Sequence, residues 1–288
     1  MAEKNIKLAK FAGFCYGVKR AVDTAKKLKS ENPDKNVFIL GELIHNTDVI
    51  NELEALGIKT IYDVPEKSDG ICIVRSHGEA PEVFEKLKSA GFEVVDLTCP
   101  DVKKVQQRAI ELAKNNYFVV IVGKANHPEV IAIKANAELY SDKVIVACSA
   151  EDLIPYKKAI ETHKKVGIVI QTTQMISTLN EISAYINSIA KEVLIYNTIC
   201  QSTSMRQKEA KELANDSDLM IVVGSRKSAN TTHLAEILKK CTTTIHIEND
   251  SEIEKYKNIL NEIGNIGITA GASTPQNIIN NVIEKIKK

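Results

Sequence analysis

The sequence predicts an α/β protein made of three small parallel-sheet modules in a pseudo-threefold arrangement. Three observations predict it: an internal repeat at a fixed offset, short β-branched runs ending in glycine, and helical periodicity between those runs. Laying Val94–Ala113 on Ile195–Ala214 superposes Cys99 on Cys200 at an offset of 101 residues. The same offset carries Val119–Val122 and Gly123 onto Met220–Val223 and Gly224. A looser first copy runs from Cys15 through a helical stretch to Val37–Leu40 and Gly41, and the three cysteine-to-glycine distances are 26, 24 and 24 residues.

The strands come first. Phe118–Val122, Leu219–Val223 and Ile168–Ile170 are continuous rather than alternating, as strands covered on both faces of a parallel sheet are. Each third closes with a second apolar run that enters a polar loop: Gly70 to His77, Gly167 to Thr173, and Gly267 to Ser273. Between the runs, Val102, Val105, Ala109 and Leu112 recur at spacings of three and four, which is a helix with one apolar face. Pro81 and Pro275 stand where a first helical turn accepts proline. The modules are expected at residues 1–97, 98–197 and 198–288, with the N-terminal strand, 1–14, available to join the third.

Composition narrows the function classes. The chain has 288 residues, 44% hydrophobic and 26% charged, enough to bury a core without disulfides. Lys and Arg number 38 against 37 Asp and Glu, and a net charge of +1 points away from a nucleic-acid binder. Residues 1–9 are too charged for a signal peptide, and no apolar run approaches a membrane span, so a cytoplasmic location and no membrane partner are expected. In that reducing compartment six cysteines without a CxxC pair argue against a disulfide framework. GxGxxG, Walker and HExxH motifs are all missing.

Ligands of open α/β sheets gather where strand ends lead into helix N-termini. Cys15, Cys99 and Cys200 occupy that position once per repeat, and a pseudo-threefold packing would bring them to one central point. Cys72, Cys148 and Cys241 lie in or beside apolar runs and read as small buried hydrophobes. Three thiolates suit zinc, a redox centre or an iron–sulfur cluster. The cluster is favoured: a 4Fe–4S cube with three protein ligands keeps one iron open as a Lewis acid. Its electrons would have to come from another protein.

The remaining strand-end loops supply neutral donors: His45 after Gly41, His127 after Gly123, and Ser228 and Asn230 after Gly224. The second loops add His77, Thr172 with Thr173, and Ser273. Singly, each has an ordinary structural use as a helix cap or bonded histidine. Together, beside helix N-termini, they suit a phosphate or diphosphate. Glu129, in His127-Pro128-Glu129, is the best available proton source for a reductive site, with His127 to orient substrate. His163 and His246 fall outside these loops and carry no role.

GFCYGVKRAV, RSHG at Arg75–Gly78, DLTCP at Asp96–Pro100, HPEV at His127–Val130, QTT at Gln171–Thr173, VVGS at Val222–Ser225 and TAGAS at Thr269–Ser273 stand in order along the chain. Together they resemble the 4-hydroxy-3-methylbut-2-enyl diphosphate reductase family from about Lys7 to Val282. The resemblance implies three α/β domains in a trefoil around one oxygen-sensitive 4Fe–4S cluster and the last step of the non-mevalonate isoprenoid pathway. In that step two electrons and protons remove an allylic hydroxyl to give isopentenyl and dimethylallyl diphosphates. Carried over by motif, Cys15, Cys99 and Cys200 are the cluster ligands, Glu129 the proton relay and Thr172 its partner near the hydroxyl. His45, His77, His127, Ser228, Asn230 and Ser273 form the diphosphate pocket, and a ferredoxin or flavodoxin is the electron donor. One departure stands out: where the family loop reads Ser-Ser-Asn, this chain has Ser228-Ala229-Asn230 and lacks one hydroxyl. A quinolinate-synthase-type dehydratase and a cluster-storage or sensing protein are rival readings, opposed by the RSHG, HPEV and TAGAS loops and the donor set.

Overall fold

A computed structural model of the chain describes residues 4–287; residues 1–3 and 288, at the ends of the expected first and third modules, lie outside the described residues. In chain order the first elements are β1 (Asn5–Leu8), α1 (Tyr16–Glu31), β2 (Val37–Leu40), α2 (Thr47–Ala55), β3 (Ile58–Ile61), β4 (Ile71–Val74), α3 (Pro81–Ser89) and β5 (Glu93–Asp96). Then come α4 (Pro100–Lys114), β6 (Phe118–Val122), α5 (Pro128–Glu138), β7 (Val144–Ala147), α6 (Lys157–His163), β8 (Lys165–Ile170), α7 (Ile176–Ile189) and β9 (Glu192–Tyr196). The last are α8 (Gln201–Asn215), β10 (Leu219–Val223), α9 (Ala229–Leu238), β11 (Thr243–Ile247), α10 (Lys257–Glu262), β12 (Asn265–Ala270) and α11 (Gln276–Lys287).

The strands form three four-stranded parallel sheets, ordered β3-β2-β4-β5, β7-β6-β8-β9 and β11-β10-β12-β1. The order is the same each time. The strand after a cysteine-led helix (β2, β6, β10) lies inside, and the edge is filled by the strand that leads into a cysteine. Thus β5 precedes Cys99, β9 precedes Cys200, and β1, which precedes Cys15, lies on β12 with Asn5 opposite Asn265 and Leu8 opposite Ile268.

Contacts divide the chain into two compact units: Met1–Asp23, Ile44–Ala55 and Gln201–Lys288 in one, Thr24–Leu43 and Leu56–Cys200 in the other. The first holds the β1/β10–β12 sheet and the second holds the other two. Side-chain alternation explains the continuous apolar runs. In β6, Val120 and Val122 pack with Leu179, Ile182 and Ile186 of α7, while Val119 and Ile121 pack with Val105, Ala109 and Leu112 of α4. In β10, Leu219, Ile221 and Val223 join the core containing Ile279 and Val282 of α11, and Met220 and Val222 join Ala210 of α8 and Leu234 of α9. Pro81 opens α3 as expected, whereas Pro275 stands one residue before α11, its carbonyl accepting the Ile279 N–H at 3.4 Å.

Candidate functional site

The three repeat-related cysteines share one backbone bond. Cys99 N–H donates to the Ser76 carbonyl at 3.0 Å, Cys200 N–H to Thr172 at 3.1 Å and Cys15 N–H to Ala272 at 3.2 Å. Each acceptor lies just past the third strand of its sheet, in the same loop as a candidate site residue: His77, Thr172 itself, or Ser273. All three cysteines are half-buried. Cys99 is the N-cap of α4, and the Cys15 sulfur accepts the Val18 N–H at 3.4 Å in the first turn of α1.

Of the other cysteines, Cys72 is buried in β4, and burial pushes its thiol up to about 11. Cys148 and Cys241 are exposed, which corrects the expectation that they are buried hydrophobes. Their apolar runs end one or more residues too early. β7 stops at Ala147, and the Cys148 N–H and thiol turn to Asp152 Oδ2 at 2.8 and 3.2 Å; Cys241 sits in the turn after α9.

In the larger unit the loops after β4, β6 and β8 bring His77, His127, Glu129 and Thr172 together. His127 caps α5: its Nδ1 accepts the Glu129 N–H at 3.1 Å, and Pro128 opens the helix. Because Nδ1 accepts, a neutral imidazole carries its proton on Nε2 and presents a donor there. The His77 ring meets it edge-on, centroids 5.4 Å apart. Glu129 is only 1% exposed. One carboxylate oxygen accepts the Thr172 N–H and the other the Thr172 hydroxyl, both at 2.7 Å. Burial lifts this carboxyl from 4.5 to about 7, against the pull of the two Thr172 bonds, with Asp101 adding a small upward push. Gln171, quoted in its motif but given no role by sequence, is fully buried; it accepts from the Lys124 N–H at 3.3 Å and donates to Thr173 Oγ1 at 3.0 Å.

The smaller unit places His45, Ser228, Asn230 and Ser273. Ser228 caps α9, its hydroxyl accepting the Thr231 N–H at 3.4 Å. Ser273 Oγ donates to the His45 carbonyl at 3.3 Å, and Asn46 accepts the Val49 N–H at 3.1 Å at the start of α2. The loops after β10 and β12 press together at glycine: Gly224 has φ +136°, and a Cβ there would overlap Thr274 Oγ1, while one on Gly271 would overlap Thr231 Oγ1. The buried Asn230 Nδ2 and Thr231 Oγ1 make no protein hydrogen bond among the described residues. Such orphaned polar atoms at a helix start call for a ligand or water.

Neither histidine left without a role enters these loops. His163 Nε2 donates to the Asn116 carbonyl at 2.7 Å, and His246, on β11, donates from Nε2 to the Gly224 carbonyl at 2.8 Å. Thr231 stands in the donor loop after Gly224 that the sequence singles out, but sequence reasoning gave it no role of its own. That reasoning also missed His233 and Arg206, 2% and 3% exposed, for which no local pattern distinguishes a buried polar residue from a solvated one.

Fold and loops define an α/β protein with a repeated cysteine-bearing turn, helix starts ready for an anion and a buried carboxyl near neutrality. The chain belongs to the LytB protein family, whose model matches residues 6–287. It is 42% identical to the 4-hydroxy-3-methylbut-2-enyl diphosphate reductase of Clostridium tetani, over 98% of this chain and 43% of that protein. Against the reductase of the same name from Clostridium acetobutylicum it is 41% identical, over 99% of this chain and 44% of that protein. The chain therefore spans less than half the length of these two relatives. A third, of the same name, from Clostridium perfringens strain 13, matches at 42% identity over 99% of both chains.

Two solved structures share the fold. One, described as (E)-4-hydroxy-3-methyl-but-2-enyl diphosphate reductase, the terminal enzyme of the non-mevalonate pathway, has TM-score 0.73 and 40% identity, covering 100% of this chain and 99% of that one. The other, the E-1-hydroxy-2-methyl-but-2-enyl-4-diphosphate reductase from Plasmodium falciparum, has TM-score 0.88 and 26% identity, over 98% and 87%. Among the described residues no helix is long and apolar enough to cross a membrane.

Proposed function

We propose that the chain catalyses reductive dehydroxylation of (E)-4-hydroxy-3-methylbut-2-enyl diphosphate to isopentenyl and dimethylallyl diphosphates, the last step of the non-mevalonate pathway. The observation that carries this reading is Glu129: a buried carboxyl lifted to about 7, with Thr172 donating to both oxygens, two residues after a histidine whose Nδ1 accepts the Glu129 N–H. Family membership and relatives of that name supply the substrate.

The reaction consumes two electrons and two protons. The allylic C–O bond breaks, one proton leaves with the hydroxyl as water, and the other ends on carbon. Glu129 holds a proton near neutral pH, and Thr172, whose N–H and hydroxyl both donate to it, orients that carboxyl for the substrate hydroxyl. Cys15, Cys99 and Cys200 would hold one 4Fe–4S cluster. Thiols that are half-buried, placed at helix starts and fastened by the same backbone bond fit a group that takes thiolate ligands. When bound, that cluster supplies electrons and a Lewis-acid iron for the hydroxyl.

His45, His77, His127, Ser228, Asn230 and Ser273 bind the diphosphate with neutral donors, and the orphaned Asn230 amide is the donor best explained by an anion. Electrons come from a partner protein of the ferredoxin or flavodoxin class, and the reducing cytoplasm suits free thiols. The test is electron paramagnetic resonance on anaerobic, reduced protein with and without the allylic substrate, followed by product analysis. A cluster signal that changes on adding substrate, with both products formed, is expected. A signal indifferent to substrate, or no cluster after reconstitution, sinks the reading.

A further inference from the structure

The three cysteine loops differ in length. Two residues separate β5 from Cys99 and three separate β9 from Cys200, whereas six, Ala9 to Phe14, separate β1 from Cys15. A longer loop has more conformational entropy to lose and needs more to hold it. The short loops are fastened by threonine: Thr98 N–H donates to Asp96 at 2.9 Å, and Thr198 Oγ1 accepts the Ile170 N–H at 3.0 Å.

The long loop is held by a buried ion on α8. Arg206, 3% exposed, donates to the carbonyls of Phe11, of Gly13 at 2.9 Å and of Ala270 at 2.8 Å. One turn further on, Glu209 accepts the N–H groups of Lys10 at 2.6 Å and Phe11 at 2.9 Å. Six residues after Cys15 and Cys99 the equivalent positions are Ala21 and Val105, both fully buried and apolar. Burying a guanidinium where the fold elsewhere accepts a methyl or isopropyl group is costly unless its geometry is used. Here it is used: the planar fork reaches Gly13 on the loop and Ala270 at the end of β12, two residues before the carbonyl that receives the Cys15 N–H.

We propose that Arg206 is a positioning residue that, with Glu209, fixes the Cys15 loop against the end of β12 and so presents the Cys15 thiolate preorganised for its cluster. This rests on the reading of Cys15 as a cluster ligand. α8 starts at the residue after Cys200, so the helix that follows one proposed ligand orders the approach to another.

The test uses the full chain, wild type, R206K and R206M, in two arms. In the first, metal-free protein is treated with iodoacetamide and alkylation is followed at each cysteine by mass spectrometry. R206K keeps the charge but loses the fork, and Cys15 should react about fivefold faster, the factor given to a local opening equilibrium by one lost hydrogen bond. Cys99 and Cys200 should stay at their wild-type rates, and R206M should raise Cys15 further. In the second arm, iron bound per chain and the resonance spectrum of the reduced cluster are compared; R206K should lose iron to a chelator faster and shift the spectrum. An unchanged Cys15 rate in R206K overturns the proposal, and so does equal acceleration at all three cysteines, which marks general loosening. If R206M does not fold, R206K decides alone. Wild-type protein that takes up no iron would sink the cluster reading and leave the loop clamp to be judged by the first arm.

Discussion

Replacing Thr172 by valine removes the hydroxyl that Glu129 accepts at 2.7 Å and keeps the backbone N–H that it accepts at the same distance. The hydroxyl stabilises the charged carboxylate, so its loss must make the proton harder to remove. A hydrogen bond to a charged group contributes about 1.5–3 kcal/mol, which moves the titration midpoint up by roughly one to two pH units. Isotope-edited difference infrared spectroscopy of the protonated carboxyl reads this directly: the wild-type band should fade around pH 7 and the T172V band at higher pH.

Stability gives an independent check. The folded carboxyl titrates at about 7 and its reference value is 4.5, so the folded state binds its proton more tightly. The stabilisation linked to that proton is fully present below 4.5 and is lost as pH rises through about 7, a loss of about 3 kcal/mol across the window. Urea titrations of metal-free protein should show this fall, and T172V should extend it upward. A wild-type midpoint near 4.5, or a T172V midpoint unchanged or lowered, refutes the account of Glu129 as a carboxyl balanced between burial and Thr172.

Glu129→Gln should retain iron and bind substrate yet lose turnover, measured by single-turnover product formation; normal turnover would remove Glu129 as proton source. Serine at Cys15, Cys99 or Cys200 should abolish stoichiometric iron, whereas serine at Cys72, Cys148 or Cys241 should leave it intact, as iron analysis of reconstituted protein will show. Ala229→Ser restores the hydroxyl that the Ser228-Ala229-Asn230 loop lacks. A bond from it to the diphosphate would tighten inhibition by inorganic diphosphate about tenfold or more; an unchanged inhibition constant would mean that a backbone N–H or water already fills that place.

Much of this was legible in the chain. The repeat marked the three central strands β2, β6 and β10, and their continuous apolar runs announced sheets covered on both faces, because alternating side chains of one strand must serve two cores. Cysteine spacing and the loops after each glycine picked out most polar residues around the turns, since strand ends and helix starts leave local signatures. Other features depend on long-range neighbours. Which strand Asn5–Leu8 lies on is decided by β12, some 260 residues away, whose exposed edge accepts it in the place that β5 and β9 take elsewhere. Cys148 and Cys241 follow apolar runs yet face solvent, because burial ends with the strand or helix and not with the hydropathy.

The contrast is clearest in two charged residues. The sequence by itself placed Glu129 two residues after His127 in a strand-end loop, but its proton affinity arises from burial and from a threonine 43 residues away, and no local pattern encodes desolvation. Arg206 reads as one more polar residue on a helix; only the packed chain turns it inward, where carbonyls nearly 200 residues distant in sequence become the partners that make a buried charge tolerable.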